Sequence, residues 1–422
     1  MANKKKLKIL MLGSDDNRLQ GHVYSAFERM PDSYDKRLVI FDSHYHDTQR
    51  SFVDSTTFWG KVKRKFYRKW QSVRKIWSTG VFAKIDLNKQ EYCFYGNEFT
   101  SITARSILKK CKGFVPDIIS IHWVAGFISS KVIKDLHCLT DAKIVFVFVD
   151  EAHMTGGCHY PVDCKGYLDG CYNCPALGKG KELAAIQMCC KQENLKDIPK
   201  FIIGSPYDCR LAVASPLFKD SKAFSGITIP KMPSVDCLEA RRMFGISDTE
   251  FVIMIGANSL TDVRKGIIYS MQSIKKFASC HYDICVLALG KRENVDALDV
   301  GNARIITPGF VDFDKLCVAF AASDCFLSTT VADSGPMMVN FSIAMNTPVV
   351  SFDIGIAQDL VLHKKTGYIA RYKDVDDVAN GIEFLYNSGK DSMKKECDTL
   401  ITNLCKTMVP PFEALYDYMI NI

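Results

Sequence analysis

The stretch "TTVADSGPMMVNFSIAMNTPVVSFDIG", residues 329–355, contains the alternation of strand and helix on which the fold prediction rests. An apolar strand ends near Thr330, and Pro336 is a natural first residue for the helix that follows. The helix is predicted to end near Asn346, and Pro348 opens a second apolar strand. A strand, a helix and a further buried strand are the repeating unit of a parallel sheet that carries helices on its faces.

The start of this predicted helix is suited to an anion. Asp333 and Ser334 are good helix caps, and the first amides of a helix have no acceptor within the helix. Those amides and the helix dipole favour a phosphate, whereas a well-capped structural helix is the alternative interpretation. The predicted binding segment consists of Asp333, Ser334, Gly335, Pro336, Met337 and Met338.

The same alternation continues along the rest of the chain. Apolar runs such as "KLKILMLGS" (6–14) and "EFVIMIGAN" (250–258) are separated by helical patterns. We therefore predict an α/β protein with two doubly wound, Rossmann-like parallel-sheet domains that face a cleft. The predicted parts are a first domain (1–206, with a cysteine-rich loop at 155–177), a second domain (207–405) and a C-terminal helix (406–422) that packs back on the first domain.

A basic pair lies in a second loop of the same half. In "DVRKG", residues 262–266, Arg264 and Lys265 stand between a strand and a helix, where they could neutralise a diphosphate. Gly266 would let the backbone approach such a ligand. A basic pair in a loop is usually solvated surface, but the helix start at 333–338 in the same sheet favours the functional interpretation.

The composition is that of a globular protein. The 422 residues are 47% hydrophobic and 24% charged. No apolar run reaches the length of about 18 residues that a membrane span needs. The first residues, "MANKKKLKILMLGS", lack a small-residue cleavage site, so we expect no signal peptide. Seventeen cysteines without a secretion signal predict a reducing, cytoplasmic location.

The net charge of +7 is concentrated in one segment. Residues 61–75, "KVKRKFYRKWQSVRK", contain eight Lys or Arg and no acidic residue, and Val62, Phe66, Val73 and Trp77 recur at helical spacing. A basic helix with an aromatic face is typical of segments that lie on an anionic membrane. Residues 59–77 are therefore predicted to place the protein at the inner face of a membrane. A solvated helix packed on its domain by the apolar stripe is the alternative.

Four cysteines lie close together in "TGGCHYPVDCKGYLDGCYNCPAL", residues 155–177. The spacing C-x5-C-x6-C-x2-C fits a structural zinc bound by four thiolates, with His159 as an alternative ligand. Free thiols or disulfides are the other interpretations, and the expected compartment disfavours disulfides. The candidate metal ligands are Cys158, Cys164, Cys171 and Cys174.

The combined motifs resemble a known family. "RKG" (264–266), "DSGPMM" (333–338), "DLVLHKKTGYIA" (359–370) and the "TGGCHY" loop (155–160) resemble the retaining, nucleotide-sugar-dependent glycosyltransferases of the GT-B fold, in the group called family 4. A subgroup with this loop makes surface polysaccharides. The resemblance implies transfer of a sugar, with retention, from a nucleotide-sugar donor to a lipid-linked or oligosaccharide acceptor. It implies no catalytic metal.

The resemblance also implies roles for individual residues of the second domain, which would bind the nucleotide sugar. Arg264 and Lys265 would hold the diphosphate as its bond to the sugar breaks. Asp333 stands where the family has the first Glu of an E-x7-E motif, and would contact the donor sugar hydroxyls. The sugar and phosphates would be lined by Gly335, Pro336, Met337 and Met338.

The first domain would face the acceptor. Gly21, in "NRLQGHVY", matches a family glycine near the leaving phosphate, and His122, in "IHWVAGF", matches a histidine at a strand end. The subgroup usually has a His–Asp pair before its cysteine loop, where this chain has Val149 and Asp150. Asp150, or His153 three residues later, could take the place of the missing histidine.

Two further hypotheses follow from the departures and the charge. Val149 and Phe341, the second at the position of the family's second Glu, suggest a catalytically weak homologue that serves as a scaffold subunit of a polysaccharide assembly. An apolar ring cannot accept the hydrogen bonds of a ribose. A nucleic-acid module is the third hypothesis. We expect no nucleic-acid partner, because the basic segment is striped with apolar residues and the cysteine loop has only one basic residue, Lys165.

Overall fold

The structure is a computed structural model. It describes residues 6–15, 22–31, 34–44, 50–79, 86–87, 91–227, 229–291 and 298–420. Gly21, which the sequence placed near the leaving phosphate, lies outside these ranges. No helix in the described ranges is long and apolar enough to cross a bilayer.

The chain divides into two compact units. The first comprises Met1–Ser225 with Pro411–Ile422, and the second comprises Gly226–Pro410. The first boundary lies beyond the predicted residue 206 because Lys222–Ser225 adds a further strand to the first sheet. The C-terminal helix belongs to the first unit.

The first unit is built on a parallel sheet of seven strands. In chain order, its described strands are β1 (Lys8–Asp15), β2 (Asp35–Ser43), β3 (Ser51–Asp54), β4 (Asp86–Leu87), β5 (Ile118–Ile121), β6 (Lys143–Val147), β7 (Leu177–Lys179), β8 (Lys200–Gly204) and β9 (Lys222–Ser225). The sheet order is β3-β2-β1-β5-β6-β8-β9, while β4 and β7 form a separate antiparallel pair. The strand order reverses between β1 and β5, which is where ligands bind in open α/β sheets.

Both faces of this sheet are covered, which explains the continuous apolar run in β1. Leu10 and Leu12 belong to one buried cluster, and Ile9 and Met11 belong to the cluster on the opposite face. The described helices of this unit are α1 (His22–Arg29), α2 (Phe58–Thr79), α3 (Ala104–Lys110), α4 (Ser130–Thr140), α5 (Glu182–Leu195) and α6 (Pro206–Ala214).

The last helix of the chain packs on the first sheet. It spans Pro411–Ile420 and is numbered α14, after the seven helices of the second unit. Its Tyr418 ring lies 6.0 Å from the ring of Phe201 on β8 and 5.8 Å from that of Phe224 on β9. Leu415 is fully buried in the same cluster, which contributes roughly 2 kcal/mol.

The second unit repeats the architecture with six parallel strands. Its described strands are β10 (Phe251–Ser259), β11 (Ile284–Lys291), β12 (Arg304–Gly309), β13 (Cys325–Ser328), β14 (Val349–Phe352) and β15 (Gly367–Ala370). Its described helices are α7 (Cys237–Phe244), α8 (Ile267–Ala278), α9 (Phe313–Ala322), α10 (Met337–Ala344), α11 (Ala357–Leu360), α12 (Val375–Ser388) and α13 (Lys390–Thr407). The order is β12-β11-β10-β13-β14-β15, so the reversal falls between β10 and β13.

The helix start in the opening stretch differs in detail from the prediction. Helix α10 begins at Met337, and Pro336 precedes it with ψ near 98° instead of forming its first turn. Asp333 does not cap the helix, because its Oδ1 accepts the amide of Gly335 two residues later and closes a local turn. Asn346 has a left-handed φ of 59°, which stops the helix before β14.

The loop between β10 and α8 touches the end of β13, and a glycine permits this contact. Gly266 has φ +60°, and a Cβ built on it would lie 1.9 Å from the carbonyl oxygen of Thr329. Gly245, after α7, has nearly the same backbone at φ +65°, but a Cβ on it would meet none of the described residues within 4 Å. Both positions would impose backbone strain on another residue, but only Gly266 would add steric overlap. Substitutions at the two glycines therefore distinguish the two effects.

We expect Gly266→Ala to destabilise the protein much more than Gly245→Ala. The left-handed backbone costs an alanine about 1 kcal/mol at either site, and the overlap with Thr329 adds about 1–3 kcal/mol at Gly266 alone. Thermal and urea unfolding midpoints of both variants measure the difference. Equal losses for the two variants would show that the loop does not depend on close contact with Thr329.

Candidate active site

The predicted basic loop and the predicted helix start meet at the strand reversal of the second unit. The amide of Val331 donates to the Arg264 carbonyl at 2.8 Å, and the Thr329 hydroxyl donates to the Gly266 carbonyl at 2.8 Å. These two bonds fasten the loop after β10 to the segment after β13. Residues 68 positions apart in the chain therefore become neighbours.

An ion pair joins the two elements directly. Lys265 Nζ donates to Asp333 Oδ2, and the other oxygen of this carboxylate accepts the Gly335 amide at 3.1 Å. The Lys265 and Asp333 side chains are 24% and 11% exposed, so the pair is partly shielded but reachable. An ammonium group has three protons, so Lys265 can keep this bond and still donate to an anion.

Arg264 has a carboxylate partner of its own. Its Nη2 donates to Asp262 Oδ2 at 2.7 Å, and its amide donates to Asp262 Oδ1 at 3.1 Å. The two cations are thus matched by two carboxylates, Asp262 and Asp333. An anion binding here would depend on the amides at the start of α10 as well as on side-chain charge.

The segment before α10 offers backbone to a ligand. A Cβ built on Gly335 would meet nothing within 4 Å in the described part of the chain, so the space beside this glycine is open. Met337 is 47% exposed, whereas Ser334 is buried. Met338 packs against the apolar cluster below, and its Cε would lie 3.1 Å from a Cβ on Gly256. Met337 is therefore the most exposed member of the predicted segment, and Gly335 offers open space beside its backbone.

Phe341 occupies an apolar environment. Its ring lies 5.6 Å from that of Phe313 in an edge-to-face contact, and it borders the buried cluster under α10. Phe313 is itself 43% exposed. Phe341 and Phe313 thus form an aromatic surface at the position where the family that the sequence resembles has the second Glu of its motif.

In the first unit, Asp150 follows β6 and pairs with His159, for which the sequence indicated only a possible role as a metal ligand. His159 Nδ1 is hydrogen-bonded to Asp150 Oδ2, and Trp123 Nε1 donates to the same nitrogen at 3.0 Å. An imidazole nitrogen carries either a proton or a lone pair, so it satisfies Asp150 or Trp123 in full, but not both. His159 Nε2 is buried and has no hydrogen-bond partner among the described residues.

Burial and charge shift the pKa values of this cluster. Burial alone would raise the pKa of Asp150, but the charge and hydrogen bond of His159 and the Ala152 amide outweigh it and lower that pKa. Burial lowers the pKa of His153 to about 4. Burial also lowers the pKa of Lys191 and raises that of Glu98. Asp150 is therefore ionised at neutral pH, and His153 is neutral.

Lys191 connects this cluster to the cysteine loop. Its Nζ donates to the carbonyls of Ala152 and Thr155 at 2.6 and 2.7 Å, where the loop begins. Glu98 accepts the amide and hydroxyl of Ser130 at 3.0 and 2.5 Å. Lys191 therefore fixes the entrance of the loop, and nothing in the sequence motif indicated this contact. The only available signal was a lysine within the apolar pattern of α5.

His122 is fully buried in this structure. Its Nε2 lies 3.0 Å from the Ser120 hydroxyl, and the Phe412 ring of α14 stacks on its imidazole at 6.4 Å between centroids. The helix that packs back on the first unit therefore covers the histidine that the resemblance assigned to the acceptor side. Its catalytic role stays a prediction.

The four cysteines line one small chamber together with Phe94 and Tyr167. A hydrogen bond from Cys158, together with the Ala176 and Leu177 amides, lowers the pKa of Cys174 to about 6, and the pKa of Cys158 is raised in turn. Amides also donate to two other sulfurs at 3.3 Å: Gly156 to Cys171, and Gly166 to Cys164.

Zinc binding at this chamber stays a prediction. In the described ranges, no three His, Cys, Asp or Glu side chains are placed to hold one metal ion. The thiols are free in the structure, without a disulfide between them. The chamber therefore gathers the predicted ligands without arranging them as a closed tetrahedral site.

Most of the second unit is similar to a known family. Residues 250–388 match the family model described as "Glycosyl transferases group 1". The match runs from β10 to α12 and includes both the loop at 262–266 and the segment at 333–338. The second unit is therefore similar to this family over most of its length, and the predicted enzyme class, a glycosyltransferase, is confirmed. No curated protein matches this chain in sequence.

Solved structures share the fold of the whole chain. Sucrose-phosphate synthase from Thermosynechococcus elongatus has a TM-score of 0.59 at 12% identity, over 99% of this chain and 100% of that chain. A glycosyltransferase from Rickettsia africae has a TM-score of 0.57 at 14% identity, over 99% and 98%. Anabaena HepE, in complex with UDP, has a TM-score of 0.56 at 12% identity, over 99% and 100%. Likeness at such identities establishes the fold, and the predicted GT-B class is confirmed.

The buried His153 predicts a pH dependence of stability. Its folded pKa of about 4 lies below the usual 6.5, so the unfolded chain binds more protons between these values. Stability should therefore fall as the pH drops from about 6.5 to about 4, by roughly 3 kcal/mol from this residue. His153→Gln should flatten that part of the profile of thermal midpoint against pH. An unchanged slope in the variant would contradict the assignment.

Metal analysis of the purified protein distinguishes the interpretations of the cysteine chamber. Four-thiolate binding predicts about one zinc per chain, lost in a Cys164→Ser, Cys171→Ser double variant. Cys280→Ser with Cys405→Ser, which removes two exposed thiols elsewhere, is the matched control. Metal-free protein with all 17 thiols titratable after unfolding would support free cysteines instead, and each disulfide would lower that count by two.

Proposed function

We propose that the chain transfers a sugar from a nucleotide-sugar donor, with retention, to a lipid-linked or oligosaccharide acceptor in surface polysaccharide synthesis. The observation that carries the proposal is the Lys265–Asp333 pair at the strand reversal of the glycosyltransferase domain. It places a cation, a carboxylate and the start of α10 within one small area. These are the groups that a diphosphate joined to a sugar requires.

The proposed chemistry depends on neutralising the leaving group. The bond between the anomeric carbon and the diphosphate oxygen breaks, a bond to the acceptor oxygen forms, and the proton of the acceptor hydroxyl passes to the departing diphosphate. Negative charge develops on the departing nucleoside diphosphate. Arg264, Lys265 and the first amides of α10 would stabilise that charge without a metal ion. The complex of HepE with UDP supports a nucleoside diphosphate as the leaving group.

Asp333 would position the donor sugar. Its carboxylate accepts from Lys265 and from the Gly335 amide, so its orientation is set before a sugar arrives. A carboxylate has about four acceptor sites, which leaves capacity for sugar hydroxyls. Gly335 and the exposed Met337 border the open space beside it.

In the first unit, Asp150 and His159 are the groups best arranged to hold a hydroxyl. His159 lines a cavity with Trp123 and Asp150, its Nε2 has no hydrogen-bond partner among the described residues, and Asp150 sets the orientation of the ring through Nδ1. His159 would thus serve where the resembling subgroup has the histidine that Val149 replaces. The aromatic rings of Trp123 and Tyr95, 5.7 and 4.7 Å from the imidazole, add the apolar surface that a sugar ring prefers.

A binding subunit with weak catalysis is the second candidate. The observation that favours it is the apolar packing of Phe341 against Phe313, which offers no acceptor to a ribose. This candidate predicts glycan or partner binding without turnover of any nucleotide sugar.

A thermal-shift screen of nucleotide sugars, followed by activity measurements with the best donor, tests the proposal. At a hundredfold excess over its dissociation constant, a donor should stabilise the protein by about 2.7 kcal/mol. Lys265→Gln should weaken donor binding by about ten- to a hundredfold, because a hydrogen bond to a charged group contributes roughly 1.5–3 kcal/mol. It should also lower kcat.

Lys275→Gln is the matched control. Lys275 also pairs with an aspartate, Asp299 at 2.5 Å, but on the exposed surface of α8 in the same unit. The Lys275→Gln variant should bind the donor with the affinity of the wild type. If the Lys265→Gln variant binds the donor as tightly as the wild type, Lys265 does not bind the diphosphate. A stable wild-type protein that neither binds nor turns over any nucleotide sugar would favour the second candidate.

A further inference from the structure

Helix α2 exposes a row of large apolar side chains to solvent. Trp59, Val62, Phe66, Trp70 and Trp77, here called the aromatic stripe, follow one another at spacings of three, four and seven residues. Trp59 is 76% exposed and Trp77 is 87% exposed, and even the least exposed member, Val62, reaches 42%. Exposed apolar surface that is contiguous on this scale marks an interaction site.

A different face attaches α2 to the first unit. Arg64 forms an ion pair with Asp42 at 3.0 Å, the Tyr67 ring packs against Phe41, and Gln71 donates to the Gly96 carbonyl at 3.3 Å. At the helix start, a Cβ on Gly60 would lie 1.6 Å from the Asp54 carbonyl oxygen, so only glycine permits this approach. The residues that anchor α2 to the first unit, here called the anchoring positions, are Gly60, Arg64, Tyr67 and Gln71.

The aromatic stripe therefore points away from the body of the unit. At about 100° per residue, the stripe and the anchoring positions lie roughly 120° apart around the helix axis. The alternative raised from the sequence, a helix packed on its domain by the apolar stripe, is not what the structure shows. The domain contacts instead use polar atoms, a tyrosine and a glycine.

The charges of α2 flank the stripe. Residues 61–75 contain eight basic residues, and α2 contains no acidic residue. Lys65 and Lys69 lie on one side of the stripe, and Lys63 and Arg74 lie on the other, all exposed. Long basic side chains beside an apolar stripe can reach phosphate groups while the rings enter the headgroup boundary.

We propose that the aromatic stripe docks α2 on the surface of an anionic lipid bilayer. Tryptophan and phenylalanine with flanking lysine and arginine match an interface whose outer layer is anionic and whose inner layer is apolar. A nucleic acid would complement the charge but would leave the stripe exposed to water. A second copy of this chain would bring two sets of basic residues together. The inference concerns the location of the protein and does not depend on the proposed reaction.

Co-flotation of the full-length protein with lipid vesicles tests the proposal without donor or acceptor. Binding is expected to vesicles that contain phosphatidylglycerol, to be weak on pure phosphatidylcholine, and to fall with added salt. Three of the four tryptophans of the chain lie on α2. Their fluorescence should therefore shift to the blue on binding and be quenched by brominated lipids.

Paired variants assign the binding to α2. Lys65→Gln with Lys69→Gln should lower the vesicle partition coefficient by about thirtyfold, and Trp59→Ser with Trp77→Ser by at least about tenfold. Arg105→Gln with Lys109→Gln on α3 controls for charge, because both positions are exposed in the same unit. Tyr172→Ser with Tyr282→Ser controls for exposed aromatics, at 72% and 85% exposure. Circular dichroism and thermal midpoints confirm that each variant is folded.

Three outcomes would overturn the proposal. In the first, the control variants reduce vesicle binding as much as the α2 variants do. Another is salt-dependent binding to nucleic acid with no binding to anionic vesicles. The third is a stripe-dependent dimer in light scattering that does not bind vesicles. Activity on a soluble acceptor, measured separately, reports on the proposed reaction, so that a failure of one proposal is distinguishable from a failure of the other.

Discussion

A parallel sheet delivers every loop that follows a strand to the same edge, and both candidate regions of this protein depend on that constraint. In the second unit it brings the loop after β10 beside the segment after β13, so that Lys265 meets Asp333 across 68 positions of sequence. In the first unit it brings the residues after β5 and β6 together, where Trp123 and Asp150 share His159. If neighbouring strands ran in opposite directions, the loops that follow them would leave from opposite ends of the sheet. Lys265 could then not meet Asp333, and Trp123 and Asp150 could not both reach His159.

Close contact between backbone segments then fixes the positions of the loops that the sheet brings together. Gly266 lies so near the Thr329 carbonyl that no other residue could hold the loop in place, and the Val331 amide completes the attachment through the Arg264 carbonyl. The basic side chains thus extend from a backbone that is fixed at both ends. In the first unit, buried Lys191 has the equivalent function for the cysteine loop, since two loop carbonyls accept its ammonium protons. A buried ammonium is unfavourable without such partners, so this contact specifies one position for the loop entrance.

Periodicity and turn residues were sufficient to predict the α/β class and several strands from the sequence, because continuous apolar runs are what burial on both faces requires. The sequence did not reveal that Pro336 lies before α10, since that depends on Asp333 bonding to Gly335 and Lys265 instead of capping the helix. It also did not reveal His159 as the partner of Asp150. The two lie nine positions apart in the chain, and only the path of the loop brings them together. The burial of His122 depends on a helix that lies almost 300 residues away in the chain.

Helix α2 shows how one pattern can satisfy two different requirements. A helix that packs only on its own domain places its largest apolar residues inside, because each buried aromatic side chain contributes roughly 1.5–3 kcal/mol. Here Gly60, Tyr67 and Gln71 occupy the inner face, and tryptophans occupy the outer one. The hydrophobic effect of the stripe is therefore not used in the folded unit by itself. Covering the stripe with another apolar phase would make it favourable, and the flanking basic residues match the anionic surface of the proposed bilayer.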